Sequence, residues 1–397
     1  MISAGVGFSK NKDPYQAGYE AITLAIEQAG GKPDFLFAFS SVSLDQHEIV
    51  RGIQDAGNKT PFIGCSDAGE ITNEGPAQNG VGVMAVRADM IRFTTGIAKD
   101  IKSDARAAGR SLAKEIKNQT IEPSRSLVML PDVLTGNGAD IVRGIQDVFG
   151  ENFPIVGGAA GDDFLFKQTY QYRDGEVESG AVAGVGLAGA FSMGIGVRHG
   201  WVPLGPPMKV TKAQGTRLYE LDGKPAIHLY EDYFGVEAEQ MKKEPLARIA
   251  ITYPLGIKIP DLDEYLIRDP ITVNEDGSIT CAAEIPEGSE VRLMIGSKEK
   301  AIQAAQDAAH KLMRDFEQQK SAPKFLLIFN CIAREKLFGV HAREEIEAIM
   351  GIVGRNVPTL GFYTYGEQAP MGGEIHDSSK IYSRFYNETA VLFAVGE

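Results

Sequence analysis

The sequence has 397 residues, 43% of them hydrophobic, which is enough for two or three domains with apolar cores. Its formal net charge of -13 and its pI near 5.1 argue against nucleic acid as a partner, because phosphate binding requires clustered Lys and Arg. Three widely spaced cysteines without a CxxC pair, and an N-terminus without a secretory signal, predict a cytoplasmic protein with free thiols.

Three segments carry helical patterns. The first covers residues 14–28, where Asp13 is predicted to cap the helix and Pro14 to take its first position. Residues at intervals of three and four predict its buried face; they are Tyr15, Tyr19, Ile22 and Ile26. The other two patterns cover residues 104–117 and 298–319.

The chain also repeats itself. The string IVRGIQD occurs at residues 49–55 and 141–147, and a diverged copy covers residues 346–361. Each copy leads into Pro-x-x-Gly and follows a short apolar run that predicts a buried strand (34–41, 126–132, 324–331). Closing strands are predicted downstream, for example at 80–86 and 389–395. The sequence therefore predicts an α/β (mixed α+β) fold of strand–helix–strand–helix–strand units with helix-covered mixed sheets.

An uncharged stretch at residues 180–197 is long enough for a membrane span. Its frequent glycines and the break near Gly189 instead predict two buried strands joined by a tight turn. The stretch contains GVGLAG, but strand-like residues follow it, whereas a dinucleotide-binding GxGxxG opens a helix. We therefore expect neither membrane insertion nor a nucleotide site here.

A segment of different character separates the second and third units, from about residue 201 to 291. It is predicted to hold a short helix at 225–234 and strands at 247–252, 264–267 and 290–294. Charge rises and hydrophobicity falls at 235–243, which places the predicted domain boundary there. The two predicted domains are residues 1–235 and 236–397.

The residues after each Pro-x-x-Gly share a chemistry. Turn 1 (residues 64–70), turn 2 (157–163) and turn 3 (361–367) couple glycines to an acidic residue, which is Glu70, Asp163 or Glu367. Glycine allows close backbone approach to a ligand, and the carboxylate could pair with an ammonium group. Turn 3 adds Phe362, Tyr363 and Thr364, more than a turn requires. These residues therefore predict a ligand site.

A ligand with a carboxylate would also need a cation. Arg334 follows the central strand of the third unit, beside Cys331, and Arg198 precedes Trp201. Arginine clamps carboxylates in a bidentate manner, so an amino-acid-like ligand is the predicted occupant, with Arg334 as the main clamp. Each arginine could instead belong to an ordinary ion pair.

Several motifs together resemble the FIST family. They are GCSDAGEI, VGGAAGD, GWVPLGP, ELDGKPAIHLYEDYFG, CIAR and GFYTYGEQAP, and they fall in family order over almost the whole chain. The resemblance implies a sensory protein with N- and C-terminal FIST domains that binds a small ligand, amino acids having been proposed. It also implies a signalling partner such as a histidine kinase, a cyclic-dinucleotide enzyme or a chemotaxis receptor. Without a fused output domain, that output would be another polypeptide or a homo-oligomer.

Two alternatives remain open at this point. Some family members bind haem and sense nitric oxide, and haem needs only one axial histidine in an apolar pocket; His199 and His228 are the candidates. The second alternative is an enzyme that uses Cys331, Cys65 or Glu367. We expect no catalysis, because no histidine is placed as a base for a cysteine, and no metal, because no paired histidine spacing occurs.

Overall fold

The computed structural model describes residues 1–235, 246, 250–259, 264–377 and 379–397. Two units of one topology follow each other in the first half. Unit 1 comprises β1 (Ile2–Ser9), α1 (Pro14–Ala29), β2 (Phe35–Ser41), α2 (Gln46–Ala56), β3 (Phe62–Asp67), β4 (Glu70–Thr72), β5 (Gly75–Ala77) and β6 (Val81–Ala88). Unit 2 comprises β7 (Ile91–Ala98), α3 (Ala105–Gln119), β8 (Ser124–Pro131), α4 (Gly138–Phe149), β9 (Ile155–Gly158), β10 (Gln171–Arg173), β11 (Glu176–Glu178) and β12 (Val182–Gly189).

Unit 3 is interrupted after its first strand, β13 (Ser192–Arg198), by an inserted sheet. The insert comprises β14 (Val202–Gln214), β15 (Arg217–Leu221), β16 (Lys224–Pro225), α5 (His228–Phe234), β17 (Leu255–Lys258), β18 (Tyr265–Arg268), β19 (Pro270–Val273), β20 (Ile279–Cys281) and β21 (Glu290–Ile295). Unit 3 resumes with α6 (Lys298–Gln319), β22 (Pro323–Cys331), α7 (Ile332–Phe338), a 3-10 turn (Gly339–His341), α8 (Ala342–Val353), β23 (Thr359–Thr364), β24 (Glu367–Pro370), a second 3-10 turn (Met371–Gly373), β25 (Ser383–Tyr386) and β26 (Ala390–Gly396).

The three units repeat one strand order. The orders are β1-β6-β2-β3, β7-β12-β8-β9 and β13-β26-β22-β23, and in each the last two strands are parallel while the others pair antiparallel. This arrangement confirms the predicted mixed α/β class and its threefold repeat.

Each sheet is completed by a hairpin from another unit. Hairpin β10-β11 of unit 2 extends the sheet of unit 1, β24-β25 of unit 3 extends that of unit 2, and β4-β5 of unit 1 extends that of unit 3. The exchange is cyclic, so the three units form a ring related by pseudo-threefold symmetry.

The inner faces of the three sheets enclose one apolar core. Phe39 of unit 1 contacts Phe362 of unit 3 with ring centroids 4.4 Å apart, and Phe329 lies against the same ring. The helices cover the outer faces, as predicted for mixed sheets. Such close packing of large apolar side chains makes the ring of sheets the structural base of the molecule.

The buried face of α1 differs from the prediction. Asp13 caps the helix as predicted, accepting from the Gln16 N–H at 3.0 Å, but Tyr19 is 42% exposed. The buried residues are mostly small, namely Ala17, Gly18, Ala21, Ile22, Ala25 and Ala29. They are small because α1 lies directly on α2: a Cβ on Gly18 would stand 2.3 Å from the Ile49 carbonyl oxygen.

The apolar stretch at residues 180–197 forms two strands with a short turn, as predicted. The turn includes Gly189 at φ 97°, and the strands β12 and β13 then enter different sheets instead of pairing. Within the described residues, no helix is long and apolar enough to cross a membrane.

The inserted sheet draws strands from both sides of residue 235. The predicted strands at 264–267 and 290–294 correspond to β18 and β21, and the predicted short helix begins at His228. Of the predicted strand at 247–252, residues 247–249 lie outside the described residues, and 250–252 form no strand. Most of the predicted boundary at 235–243 also lies outside them, so its position stays a prediction.

Candidate functional site

The three acidic turns meet one another. Turn 1 bonds to turn 3 through Tyr363 N to Gly69 O at 2.8 Å, and turn 2 bonds to turn 3 through Ala159 N to Gly366 O at 2.7 Å. Turn 2 bonds to turn 1 through Asp163 N to Asp67 O at 3.0 Å. The repeated glycine-acid pattern therefore builds a junction between the units.

Glu367 is fully buried at this junction. The Thr364 hydroxyl donates to its Oε1, and the N–H and hydroxyl of Thr389 donate to its Oε2 at 3.1 and 2.9 Å. Burial raises the pKa of Glu367 to about 8, because desolvation of the carboxylate outweighs these three hydrogen bonds. The side chain bonds to its own chain, and the predicted ligand contact of Glu367 is therefore corrected to a structural one.

Glu70 holds the equivalent place in turn 1. It is fully buried and accepts the Gly80 N–H at 2.8 Å, just before β6, as Glu367 accepts from Thr389 just before β26. Burial raises the pKa of Glu70 to about 7. In turn 2, Asp163 accepts from the Ser41 hydroxyl at 2.8 Å. These carboxyls tie turns to neighbouring strands.

Arg334 is not the open anion clamp that the sequence predicts. Its guanidinium is fully buried and pairs with Glu345, with Nε to Oε1 at 2.8 Å. Its other donors reach the backbone carbonyls of His199, Ala301 and Glu388. Because a buried guanidinium needs a counter-charge, this pair fixes α8 to α7 and leaves little for a ligand.

The aromatic residues of turn 3 point to different places. Phe362 lies in the common core, and Thr364 is bonded to Glu367. Tyr363 is buried, and its hydroxyl has no hydrogen-bond partner among the described residues; the side chain lines a shallow pocket beside Lys10 and Arg343. The structure therefore does not bring Phe362, Tyr363 and Thr364 around one ligand.

The cysteines lack the surroundings of a nucleophile. Cys331 and Cys65 are buried, and desolvation raises the pKa of both thiols, with Glu367 and Asp269 adding to the rise at Cys331. His341 is on the surface, where its Nδ1 lies 2.6 Å from Glu344. A thiol kept protonated mainly by desolvation is a poor nucleophile.

A large cleft, with a volume of about 1030 Å³, lies between unit 3 and the inserted sheet. Its walls come from the end of β13, the start of α6, the approach to β18 and the β24–β25 connection. Two predicted residues, Arg198 and Trp201, line it. Tyr386, the last residue of β25, and Thr389, just before β26, line it as well. This cleft is the best-formed candidate site in the described part of the chain.

Charges of both signs line the cleft. Arg198 pairs with Glu264 at 3.1 Å, so one predicted cation is already partnered. Arg384 stacks on Tyr382, 4.4 Å from the ring centroid, and forms no ion pair with any described residue; neither does Lys300. The Tyr386 hydroxyl is buried and has no described hydrogen-bond partner. The cleft thus offers a cation, a phenol and carboxylates to a bound molecule.

Neither candidate histidine is suited to haem. His199 lines the cleft, and its Nδ1 accepts the Trp201 N–H at 3.0 Å, so Nε2 carries the proton of the neutral ring. Burial and the nearby Arg334 and Arg198 lower the pKa of His199 to about 3. Nε2 could bind iron only if Nδ1 gave up its present bond. His228 lies on the surface beside Glu231, 3.6 Å away, where no apolar pocket encloses it.

Sequence reasoning missed several residues of the cleft. Arg384, Tyr386, Glu264 and Lys300 come from separate segments that no motif connects. A signal for two of them existed in YSRFYNET at residues 382–389, which combines three aromatic residues with polar ones just before the closing strand.

The described residues define a class of protein built as a ring of three α/β units with a charged cleft beside it. The comparisons specify it further: residues 34–224 match the family model for the FIST N domain, and residues 226–370 match that for the FIST C domain. The chain therefore belongs to the FIST family, whose domains are sensory domains that bind small ligands for signalling.

Curated relatives carry no assigned function. An uncharacterized protein of Methanocaldococcus jannaschii is 26% identical, over 98% of this chain and 78% of its own length. An uncharacterized protein of Mycobacterium tuberculosis H37Rv is also 26% identical, over 93% of this chain and 95% of its own. Each match thus covers most of both chains.

Two solved structures resemble the chain weakly. A chorismatase has a TM-score of 0.39 at 8% identity, covering 100% of this chain and 99% of its own. Phosphoribosylformylglycinamidine synthase II of Thermotoga maritima has a TM-score of 0.22 at 11% identity, covering 100% and 72%. Both scores lie below 0.5, and we draw nothing about function from either.

Proposed function

We propose that the protein senses a small zwitterionic molecule, such as an amino acid, that binds in the large cleft. The observation that carries this proposal is the meeting of opposite charges there. Arg384 has no described ion-pair partner, and Asp307 supplies a carboxylate that pairs with no described cation. A guanidinium and a phenol suit a carboxylate, and a carboxylate suits an ammonium group.

The cleft also has a route to the junction of the turns. Thr389 lines the cleft and donates two hydrogen bonds to Glu367, which belongs to turn 3. A ligand that moves Thr389 would therefore disturb a residue on which the contact between units depends. In this proposal turn 3 transmits binding and does not contact the ligand.

The output in this proposal is a separate signalling polypeptide, such as a histidine kinase or a cyclic-dinucleotide enzyme, or a change in self-association. We propose binding without turnover, in the cytoplasm. Support comes from the buried, protonated thiols and from three free cysteines, which suit a reducing compartment.

A thermal-shift screen of amino acids and organic acids tests the proposal. A true ligand at a hundred times its Kd should stabilise the protein by about 2.7 kcal/mol. Arg384→Gln should abolish that stabilisation for the hit compound, and Tyr386→Phe should weaken it, because both remove a donor to the carboxylate.

Arg355→Gln is the matched control, since Arg355 is an exposed arginine outside the cleft. It should leave the stabilisation unchanged. If the hit compound stabilises the Arg384 variant as much as the parent, the cleft is not its site. If no compound stabilises the parent, the proposed class of ligand is wrong.

A further inference from the structure

A second, smaller pocket lies beside the loop that follows turn 2, next to the end of β22 and the start of α7. It has a volume of about 60 Å³, room for a small head group but not for a whole metabolite. Three aromatic rings, Phe164, Phe166 and Tyr365, line it together with Asp269 and Cys331. We call it the aromatic pocket. It shares no lining residue with the large cleft.

The rings form a continuous wall. Phe166 stacks on Tyr365 and meets Phe164 edge to face, each pair with centroids 4.8 Å apart. Phe166 nonetheless remains 46% exposed. An apolar ring left partly in water beside an open pocket is typical of a surface that meets a ligand.

The loop that carries the wall is strained and held in place. Asp163, Phe164 and Phe166 all have positive φ, at 53°, 65° and 53°. The carboxylate of Asp162 accepts the backbone N–H groups of residues 166, 167 and 168 and the Tyr365 hydroxyl. Left-handed non-glycine residues persist only where their surroundings impose them, and they concentrate at functional sites.

Asp269 lacks a cation. Its Oδ1 is buried and accepts no N–H or O–H from a described residue, and no described cation pairs with it. The adjacent Arg268 gives its guanidinium to the carbonyls of Ile267, Glu284 and Phe385 instead. The buried carboxyl of Glu388 is within hydrogen-bonding reach of Asp269, and it can donate to Asp269 only while it is protonated.

We propose that the aromatic pocket binds the head of a small primary alkylammonium ion, with its N–H groups donating to Asp269 and its charge against the aromatic wall. Aromatic faces attract cations strongly when water is excluded, and a buried carboxylate with a free lone pair needs a donor. A neutral amine or alcohol of the same shape satisfies only part of this site. The proposal does not depend on the ligand of the large cleft.

Isothermal titration calorimetry of the full chain with n-butylammonium tests the proposal. The ion should bind, and n-butanol, which has the same shape without the charge, should bind about tenfold more weakly or not at all. Asp269→Asn should weaken butylammonium binding by about tenfold while still offering Glu388 a donor. Phe166→Leu keeps an apolar side chain without the ring and should weaken binding about threefold.

Asp100→Asn is the charge-matched control, because Asp100 is exposed, does not line the pocket and is distant in sequence from the residues that do. It should bind butylammonium as the parent does. Equal binding of butanol and butylammonium would show that the pocket recognises an apolar shape and not a positive charge. Unchanged affinity in the Asp269 variant, or in Phe166→Leu if the first fails to fold, would overturn the proposal, as would absence of any binding to the parent.

Discussion

Glu367 shows how a residue can look like a ligand contact and serve the fold. The sequence presents it in an aromatic turn after a buried strand, a common place for binding residues. The structure gives all three of its hydrogen bonds to Thr364 and Thr389. Residue type and spacing predicted that this position has a specific role. They could not tell which partner it has, because burial and long-range contacts are not visible in a turn.

The raised pKa of Glu367 predicts a pH-dependent stability. A carboxyl with a folded-state pKa of about 8 and an ordinary value of 4.5 holds its proton more tightly when folded. The stability it contributes is present at acidic pH and is lost as the pH rises from about 4.5 to about 8. A shift of one pKa unit corresponds to about 1.4 kcal/mol in the free energy of unfolding. The fall in this free energy with rising pH should therefore be several kcal/mol smaller in Glu367→Gln.

Urea unfolding between pH 5 and pH 8 measures the effect. The parent should lose stability across this range more steeply than the Glu367 variant. Titrating groups that Glu367 does not influence contribute equally to both proteins, so the difference reports Glu367 together with the neighbours whose pKa it raises, Cys331 and Glu388. Glu122→Gln, at an exposed position, should follow the parent. Parallel curves for parent and Glu367→Gln would mean that Glu367 is already ionised at neutral pH.

At the scale of elements, the repeated string IVRGIQD has a packing explanation. Its glycine is the point where paired helices come closest: a Cβ on Gly52 would stand 2.1 Å from the Tyr15 carbonyl oxygen, and one on Gly144 would stand 2.1 Å from that of Arg106. The first helix of each pair also has a glycine at the contact, which is Gly18 in α1 and Gly109 in α3. The sequence predicted the repeat and its helices, but not that their interface requires glycine.

Gly52→Ala should therefore destabilise the protein by roughly 1–3 kcal/mol, the usual cost of overpacking, although alanine is the better helix former. Chemical denaturation measures the change. Gly351 in α8 is the matched control, because a Cβ there meets nothing within 4 Å. Gly351→Ala should be neutral or should stabilise by about 0.5–1 kcal/mol. Equal effects at both glycines would contradict the close helix contact.

Elements within a unit were predictable, whereas their pairing across units was not. The helix predicted at 298–319 has those bounds in the structure, because its pattern and its cap at Ser297 are local. The pairing of Glu70 with Phe362 joins residues almost three hundred positions apart. No local propensity encodes such a contact. The large cleft escaped prediction for the same reason, since Arg198, Lys300 and Arg384 meet only after the units assemble.

At the scale of the whole molecule, the exchanged hairpins predict cooperative unfolding of the three units. Each sheet loses its outer two strands if a neighbouring unit unfolds, so no unit has a complete sheet alone. Native-state hydrogen exchange should show the amides of β4, β10 and β24 opening together with the central strands, at the free energy of global unfolding. Exchange from β10 at a much lower free energy would show that unit 2 releases its hairpin independently.

The exchange of hairpins also sets an order for synthesis. As the chain leaves the ribosome, β2 and β3 are made well before β10 and β11, which complete their sheet, and β8 and β9 must wait for β24 and β25. Only the hairpin added to the third sheet, β4-β5, is synthesised before the sheet that it completes. The nascent chain therefore carries an open sheet edge for most of its elongation, first that of β3 and then that of β9, and unpaired edges invite pairing with other chains. Because the fold closes as a ring, the open sheet edge of the growing polypeptide must be shielded from other chains until the last unit emerges.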